Sequence, residues 1–124
     1  MELIIGGAFQ GKLNYVKNKY GFSPSDVCDC SLSDTDFSSP CIYHFEHFSL
    51  KCAESGLDAI SILEENLELM SNSVIICDDI SCGVVPIDPV LRKWREVNGR
   101  MLEIISQKAD TVTRVFCGIG QRLK

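Results

Sequence analysis

The sequence lacks any apolar run long enough to cross a bilayer as a helix, which takes about 20 consecutive residues. Its N-terminus also lacks the basic and then apolar pattern of a secretory signal. Basic side chains are in the minority, because 12 Lys and Arg face 17 Asp and Glu and leave a formal net charge of −5. Broad nucleic-acid binding needs a basic surface and is not expected. We therefore expect a cytoplasmic protein without a membrane or nucleic-acid partner.

The sequence also lacks a disulfide framework, although it contains seven cysteines. Their number is odd and their spacing irregular, so reduced thiols are the expected state. Those inside apolar runs, where cysteine behaves as a small hydrophobic residue, are Cys41, Cys77 and Cys117. A zinc site is an alternative, because a Cys-x-Cys and a Cys-x2-His pattern supply enough ligands, but the usual paired spacing is missing. Its ligands would be Cys28, Cys30, Cys41 and His44.

Short apolar runs alternate with helical patterns along the chain. The apolar runs predict strands at residues 2–5, 26–30, 41–43, 74–77 and 111–117. Helices are predicted at residues 13–20, 46–55 and 58–70, and a longer one has apolar residues at helical spacing from 90 to 105. This alternation implies a mainly parallel central sheet covered by helices on both faces. We therefore predict a three-layer α/β fold, formed by a single domain over residues 1–124.

A glycine-rich segment with the pattern Gly-x4-Gly-Lys follows the first predicted strand and precedes the first predicted helix. It consists of Gly6, Gly7, Ala8, Phe9, Gln10, Gly11 and Lys12. Glycines allow a tight turn in which successive backbone N–H groups point at phosphate oxygens. The following helix adds its positive N-terminal end, and Lys12 would reach the terminal phosphates. We predict that this loop binds a nucleoside triphosphate; a glycine-rich turn with an exposed lysine is the alternative.

The residue after the loop lysine departs from the usual pattern. A Ser or Thr hydroxyl normally binds Mg²⁺ there, whereas this chain has Leu13, which adjoins the predicted nucleotide but cannot ligate a cation. Asn14 is adjacent, but a helix turns it by about 100 degrees, which makes it a weak substitute. Either other groups hold the metal, or the loop binds phosphate without supporting fast phosphoryl transfer.

Two acidic residues, Asp78 and Asp79, follow the apolar run at 74–77. Carboxylates at the carboxyl end of a strand face the crevice in which open α/β sheets bind ligands. One of them could hold Mg²⁺, for which Asp78 is the candidate, or could orient a substrate hydroxyl as a general base. We predict that both act with Lys12 in catalysis. A pair that ends a strand and caps a helix is the alternative.

Several segments together resemble the adenosylcobinamide kinase/adenosylcobinamide-phosphate guanylyltransferase family. The family typically has a phosphate loop that begins Gly-Gly-Ala, an apolar strand followed by an acidic residue and a Gly-x-Gly-(Ile/Val)-Val-Pro motif, a later helix with Arg-x4-Gly-Arg, and a closing strand and tail. The matching segments are 6–8 (GGA), 74–86 (VIICDDISCGVVP), 92–100 (RKWREVNGR) and 115–124 (VFCGIGQRLK). The resemblance covers about the first 20 residues and everything from residue 74 onward.

The resemblance implies a P-loop NTPase-like fold, a homotrimer and a place in cobalamin biosynthesis and corrinoid salvage. Members phosphorylate adenosylcobinamide and then transfer GMP from GTP through a histidine in a basic segment. Nothing between residues 28 and 40 matches that segment. We therefore expect phosphoryl transfer from GTP or ATP, with Mg²⁺, to be the reaction that survives. A non-catalytic nucleotide-binding or corrinoid-sensing relative is the alternative, which Leu13 favours.

The substrate side of the site has six candidates. Two histidines begin a predicted helix near the strand ends, two residues belong to the second glycine motif, and two arginines lie on the long helix. They are His44, His47, Gly83, Pro86, Arg95 and Arg100. In the second glycine motif, Ser81 replaces the family's first glycine. For the histidines the alternative is a polar role, and for the arginines it is a solvated helix face.

Overall fold

The computed structural model describes residues 1–81 and 83–124. In these residues the order of elements is β1 (Glu2–Gly6), α1 (Lys12–Tyr20), a 3₁₀ turn (Pro24–Asp26), β2 (Val27–Asp29), β3 (Cys41–Tyr43), α2 (Glu46–Ser55), α3 (Ala59–Asn66), β4 (Val74–Asp78), α4 (Pro89–Lys108), β5 (Thr111–Phe116) and β6 (Ile119–Arg122). Each predicted strand and helix is confirmed. In the described residues, no helix is both long and apolar enough to span a bilayer.

The sheet has the strand order β2-β3-β4-β1-β5-β6, and its neighbouring strands are parallel except for β5 and β6. Strands β1 and β4 occupy its centre and read as continuous apolar runs, as expected for strands buried on both faces. Their register pairs Gly6 with Asp78. The predicted phosphate loop and the acidic pair therefore follow the carboxyl ends of these two central strands and lie side by side.

Helices cover both faces of the sheet. On one face, Leu3 and Ile75 pack in a core with residues of α2, α3 and α4 such as Met101. On the other face, Ile4 packs in a second core with Val16 of α1. Successive residues of a strand point to opposite faces, so β1 contributes to both cores. The predicted three-layer α/β architecture, typical of P-loop NTPase-like proteins, is confirmed.

Two details differ from the sequence-based prediction. Helix α3 is capped by Asp58, which accepts a hydrogen bond from the Ser61 N–H, but it ends at Asn66 rather than near residue 70. Beyond Asn66 the backbone bonds form turns instead, as when the Ser71 N–H donates to the Glu68 carbonyl. This arrangement buries Met70 completely.

The second difference is β6, which pairs antiparallel with β5 and was not predicted. Its four residues are all exposed, so they show no alternation of apolar and polar side chains. The two residues between the strands, Cys117 and Gly118, both have positive φ, at 51° and 76°. That backbone conformation is the one that joins two strands in a tight hairpin.

Candidate functional site

The predicted phosphate loop runs from the last residue of β1, Gly6, to the first residue of α1, Lys12, and glycines fit two tight points within it. A Cβ atom on Gly6 would lie 2.5 Å from the Val115 carbonyl oxygen, so any larger residue would push β1 and β5 apart. Gly11 has a left-handed backbone, with φ of 85°, immediately before α1. The predicted strand–turn–helix context is present, which phosphate binding requires, and phosphate binding itself stays a prediction.

The unpredicted hairpin supports this loop from the side. The Gly118 N–H donates to the Gln10 carbonyl at 2.8 Å, and the Cys117 N–H donates to Gln10 Oε1, also at 2.8 Å. Gln10 is thus held by both its backbone and its side chain. Phe9, by contrast, has a positive φ of 60° and a fully exposed side chain.

Lys12 is the first residue of α1, and its side chain folds back under the loop. Its ammonium lies 2.6 Å from the Gly7 carbonyl oxygen and 2.6 Å from Asp78 Oδ1. The lysine side chain is only 4% exposed. The ammonium therefore joins the predicted phosphate loop to the predicted acidic residue in one partly buried ion pair.

The acidic pair is held in place by its backbone. The Asp78 N–H donates to Glu46 Oε2 at 2.9 Å, and the Asp79 N–H donates to the Gly6 carbonyl at 2.8 Å. The Asp79 carboxylate accepts from the Ser81 hydroxyl and backbone N–H. These Ser81 hydrogen bonds, the hydroxyl's first, lower the pKa of Asp79. Asp79 is thus a weak base in this geometry.

Glu46 is a functional candidate that the sequence did not reveal. It begins α2, its side chain is 3% exposed, and it receives the backbone N–H of Asp78. Burial, followed by the nearby charge of Asp78, raises the pKa of the Glu46 carboxyl. A buried carboxylate thus fixes the end of β4, and no local sequence signal marks it because glutamate is common in first helical turns.

A pocket of about 400 Å³ opens beside the loop. Its walls are residues 8–14 together with Tyr43, His44 and Asp78. The structure thus brings the phosphate loop, Lys12, Asp78 and one candidate histidine to one cavity at the carboxyl ends of β3 and β4. Leu13 and Asn14 both line it, so Asn14 adjoins the site despite the rotation along the helix.

His44 reaches the pocket in an unusual backbone conformation. It follows β3 with a φ of 55°, and its ring stacks on Tyr43 with 3.7 Å between ring centroids. Its Nδ1 lies 3.0 Å from Asp29 Oδ1, at the end of β2. Burial would raise the pKa of Asp29, but hydrogen bonds from Ser31 and His44 outweigh it, and the pKa is lowered. Asp29 was not among the predicted site residues, although a carboxylate ending a strand could have suggested it.

The other predicted substrate residues lie outside the walls of this pocket. The Arg95 guanidinium donates to the carbonyl groups of Ser81 and Gly83, so it holds the segment after β4. Arg100 is exposed and lies 4.0 Å from Glu96 one turn earlier. His47 Nε2 lies 4.0 Å from Glu46 Oε1, Gly83 is exposed, and Pro86 is half-buried. Cys82, within the same motif, lies outside the described residues.

The cysteines proposed as zinc ligands have other partners. The Cys28 thiol donates to the Asp34 carbonyl, and Cys30 Sγ accepts from the Thr35 hydroxyl. Burial raises the pKa of Cys30 and of Cys41 to about 12, which opposes the thiolate form that zinc needs. Within residues 1–81 and 83–124, no three His, Cys, Asp or Glu side chains are grouped to hold a metal ion. The zinc alternative is therefore wrong for these residues.

A comparison with protein-family models identifies the family of this chain. A model described as cobinamide kinase / cobinamide phosphate guanyltransferase matches residues 44–123, more than half of the chain. The chain belongs to this family. No curated protein that was compared matches it. Membership of the cobinamide kinase family supports a transferase role in cobalamin biosynthesis. The matched segment includes His44, Asp78 and α4 but not the loop, whose assignment depends on its pattern and geometry.

Proposed function

We propose that this protein transfers the γ-phosphoryl group of GTP or ATP to the hydroxyl of adenosylcobinamide. The supporting observation is the position of Lys12, whose ammonium pairs with both the loop carbonyl of Gly7 and the carboxylate of Asp78. A cation at the centre of a loop that precedes a helix is the arrangement that binds β- and γ-phosphates. The acceptor follows from membership of the cobinamide kinase family.

Nucleotide binding requires Lys12 to change partners. In the described geometry its ammonium is neutralised by Asp78 at 2.6 Å. A triphosphate carries more negative charge than a carboxylate, so it competes well for the lysine once it enters the loop. Asp78 then loses its cation and becomes available at the pocket wall. This exchange couples occupancy of the loop to the state of the acidic residue.

The residues at the pocket suit a magnesium ion that is held mainly by the nucleotide. Mg²⁺ usually retains several waters and takes one or two protein carboxylates in addition to substrate phosphates. Asp78 provides such a carboxylate, with a side chain that is 19% exposed, whereas Leu13 offers no donor atom. When bound, the ion would neutralise charge on the phosphates. Lys12 would orient the γ-phosphate, and Asp78 would fix the relative position of nucleotide and acceptor.

The acceptor would approach from the side of the pocket formed by Tyr43 and His44. Adenosylcobinamide is much larger than this cavity, so only its amino-alcohol arm would enter, with the rest lying outside. Positioning and charge neutralisation supply most of the catalysis in phosphoryl transfer. In this proposal, Lys12 and Asp78 would supply both. A homotrimer, the assembly implied by the sequence resemblance, stays a prediction.

Incubation of the pure protein with adenosylcobinamide, Mg²⁺ and γ-labelled GTP or ATP tests the proposal. We expect a labelled corrinoid phosphate, and we expect it to be lost in Lys12→Met, which keeps the length of the side chain but removes its charge. Lys17→Met, on the same helix, is the matched control. If the protein binds nucleotide but forms no labelled product, the kinase assignment fails.

A second candidate function is a non-catalytic protein that senses nucleotide or corrinoid. The observation in its favour is Leu13, which lines the pocket where a hydroxyl would normally contact the metal. Calorimetry separates the two. A sensor would bind nucleotide with the same affinity with Mg²⁺ or with chelator and would show no turnover, whereas a kinase requires the metal for both tight binding and transfer.

A further inference from the structure

Phosphoryl transfer to an alcohol requires a group that takes the hydroxyl proton, and the two acidic residues suit that task poorly. The Asp78 carboxylate is paired with Lys12, and in the proposed nucleotide complex it would pair with Mg²⁺ instead, so it would face a cation in either state. The Asp79 carboxylate is engaged by the Ser81 hydroxyl and N–H. A carboxylate stabilised in its charged form by such bonds is a weak proton acceptor.

His44 is better placed than either of them. His44 lines the same pocket as Lys12, and its ring stacks on Tyr43 with an interplanar angle of 26°. Asp29 Oδ1 lies 3.0 Å from Nδ1, which favours the tautomer with the proton on Nδ1 and a lone pair on Nε2. Within the described residues, His44 Nε2 has no hydrogen-bond partner. The ring is therefore oriented, and its second nitrogen is free to accept a proton.

The backbone at His44 also distinguishes it from an ordinary surface histidine. Its φ of 55° is sparsely populated for residues other than glycine. The hydrogen bond to Asp29 and the stacking on Tyr43 hold it there. The carboxyl ends of β2 and β3 thus supply a histidine–aspartate pair adjacent to the phosphate loop, through parallel pairing of Asp29 with Tyr43.

We propose that His44 is the general base of the transfer and that Asp29 is its positioning residue. This inference rests on the proposed kinase function. The substrate oxygen attacks the γ-phosphorus, the new O–P bond forms, and the bond to the β,γ-bridging oxygen breaks. The nucleoside diphosphate leaves with that electron pair. The hydroxyl proton moves to Nε2 of His44, and Asp29 stabilises the resulting imidazolium. The proton returns to solvent when the product leaves.

The test uses substitutions that the backbone at residue 44 tolerates. Asn and Gly both accept a positive φ, so His44→Asn and His44→Gly should fold without strain. We expect kcat to fall about 100-fold or more in both, while nucleotide KM stays within about threefold, because general bases typically contribute 10²–10⁴-fold. Added imidazole should restore part of kcat in His44→Gly, whose missing ring leaves space for it. Asp29→Asn should lower kcat by about tenfold, without rescue by imidazole.

Asp36→Asn is the matched control for Asp29→Asn. Asp36 accepts hydrogen bonds from the backbone and hydroxyl of Ser38, as Asp29 does from Ser31, but it has no histidine partner. Its kcat should equal that of the wild type. A lower kcat in Asp36→Asn would mean that loss of the serine turn, and not of the histidine contact, explains the Asp29 result, which overturns the positioning role.

The remaining outcomes separate this inference from the function on which it depends. If the wild-type protein phosphorylates the corrinoid and His44→Asn has the same kcat, the assignment of His44 as the general base is wrong and the kinase function stands. If His44→Gly is inactive and imidazole does not restore it, a base role is likewise contradicted. If the wild-type protein binds nucleotide but transfers no phosphoryl group, both proposals fall.

Discussion

At the scale of single residues, the pair of Lys12 and Asp78 carries most of the functional argument. Each side chain has a role in the proposed nucleotide complex, yet in the described geometry they neutralise each other at 2.6 Å. An ion pair with one partner 4% exposed is screened weakly by solvent, so its strength matters for binding. Phosphate must replace a carboxylate that is already in contact with the lysine.

Asp78→Asn should therefore separate nucleotide affinity from turnover. Without Mg²⁺, the variant should bind GTP or ATP about three- to tenfold more tightly, because the amide competes less strongly for Lys12 than the carboxylate does. With Mg²⁺, its kcat should fall at least tenfold, because the pocket loses its carboxylate. Isothermal calorimetry with chelator and steady-state kinetics with Mg²⁺ measure the two effects. Weaker metal-free binding in the variant would contradict the proposed exchange of partners.

Asp88→Asn is the control for this prediction. Asp88 is an exposed acidic residue that caps α4 through the Val90 N–H, and asparagine is an equally good cap. It changes the net charge by the same amount but lies outside the pocket walls. Its metal-free nucleotide affinity should remain that of the wild type. An equal gain in both variants would indicate a general charge effect and not a specific one.

At the scale of helices and strands, the sequence predicts those elements that a local pattern of residues is enough to determine. The strands at Glu2–Gly6 and Val74–Asp78 were recognisable because strands buried on both faces are continuous apolar runs. The loop between β1 and α1 was recognisable from its glycines. The hairpin was not, since Ile119–Arg122 is exposed along its whole length and gains its strand conformation from pairing with β5. Its contact with Gln10 depends on strand order, which no local pattern encodes.

The candidate site residues also divide into those that a local pattern predicts and those that only the folded structure reveals. Lys12 and Asp78 could be proposed from sequence, because each follows directly from a strand end and the adjoining loop. The pairing of His44 with Asp29, 15 positions apart, and of Asp78 with Glu46, 32 positions apart, required the three-dimensional arrangement. Those contacts cross between neighbouring strands or from a helix to a strand, so the chain must be folded before they can be recognised.

Gln10→Ala should weaken nucleotide binding through the hairpin. The substitution removes the side-chain acceptor of the Cys117 N–H but keeps the backbone bond from Gly118. A single neutral hydrogen bond is worth about 1 kcal/mol, which corresponds to a roughly fivefold loss of affinity if the loop is bound to nucleotide only in its supported conformation. Fluorescence titration with a labelled nucleotide measures it.

Gln121→Ala provides the comparison, because Gln121 is an exposed glutamine in the same hairpin and lies in register with Arg114 of β5. Its nucleotide affinity should match that of the wild type. If both glutamine variants bind nucleotide as tightly as the wild type, the hydrogen bond between the Gln10 side chain and the hairpin has no role in phosphate binding. The backbone bond from Gly118 would then be sufficient.

At the scale of the whole molecule, two carboxylates near the same end of the sheet should respond oppositely to pH. The pKa of Asp29 is lowered on folding, so its contribution to stability is present above its ordinary pKa and is lost as the pH falls. The pKa of Glu46 is raised, chiefly by burial. Its protonated form therefore favours the folded state, and that contribution is lost as the pH rises through the raised pKa. The buried charge of Glu46 therefore lowers the stability of the fold at neutral pH, although the same carboxylate fixes Asp78.

Glu46→Gln should reveal this cost. Glutamine keeps an oxygen that can accept the Asp78 N–H but carries no charge to desolvate. Urea unfolding should show the variant to be more stable than the wild type by about 1 kcal/mol at pH 8. The difference should shrink as the pH falls and vanish below the ordinary value of 4.5. Glu54→Gln, at an exposed position of the same helix, should show no such trend. If Glu46→Gln is less stable at pH 8, the buried charge stabilises the fold, most directly through the hydrogen bond that the carboxylate accepts from the Asp78 N–H.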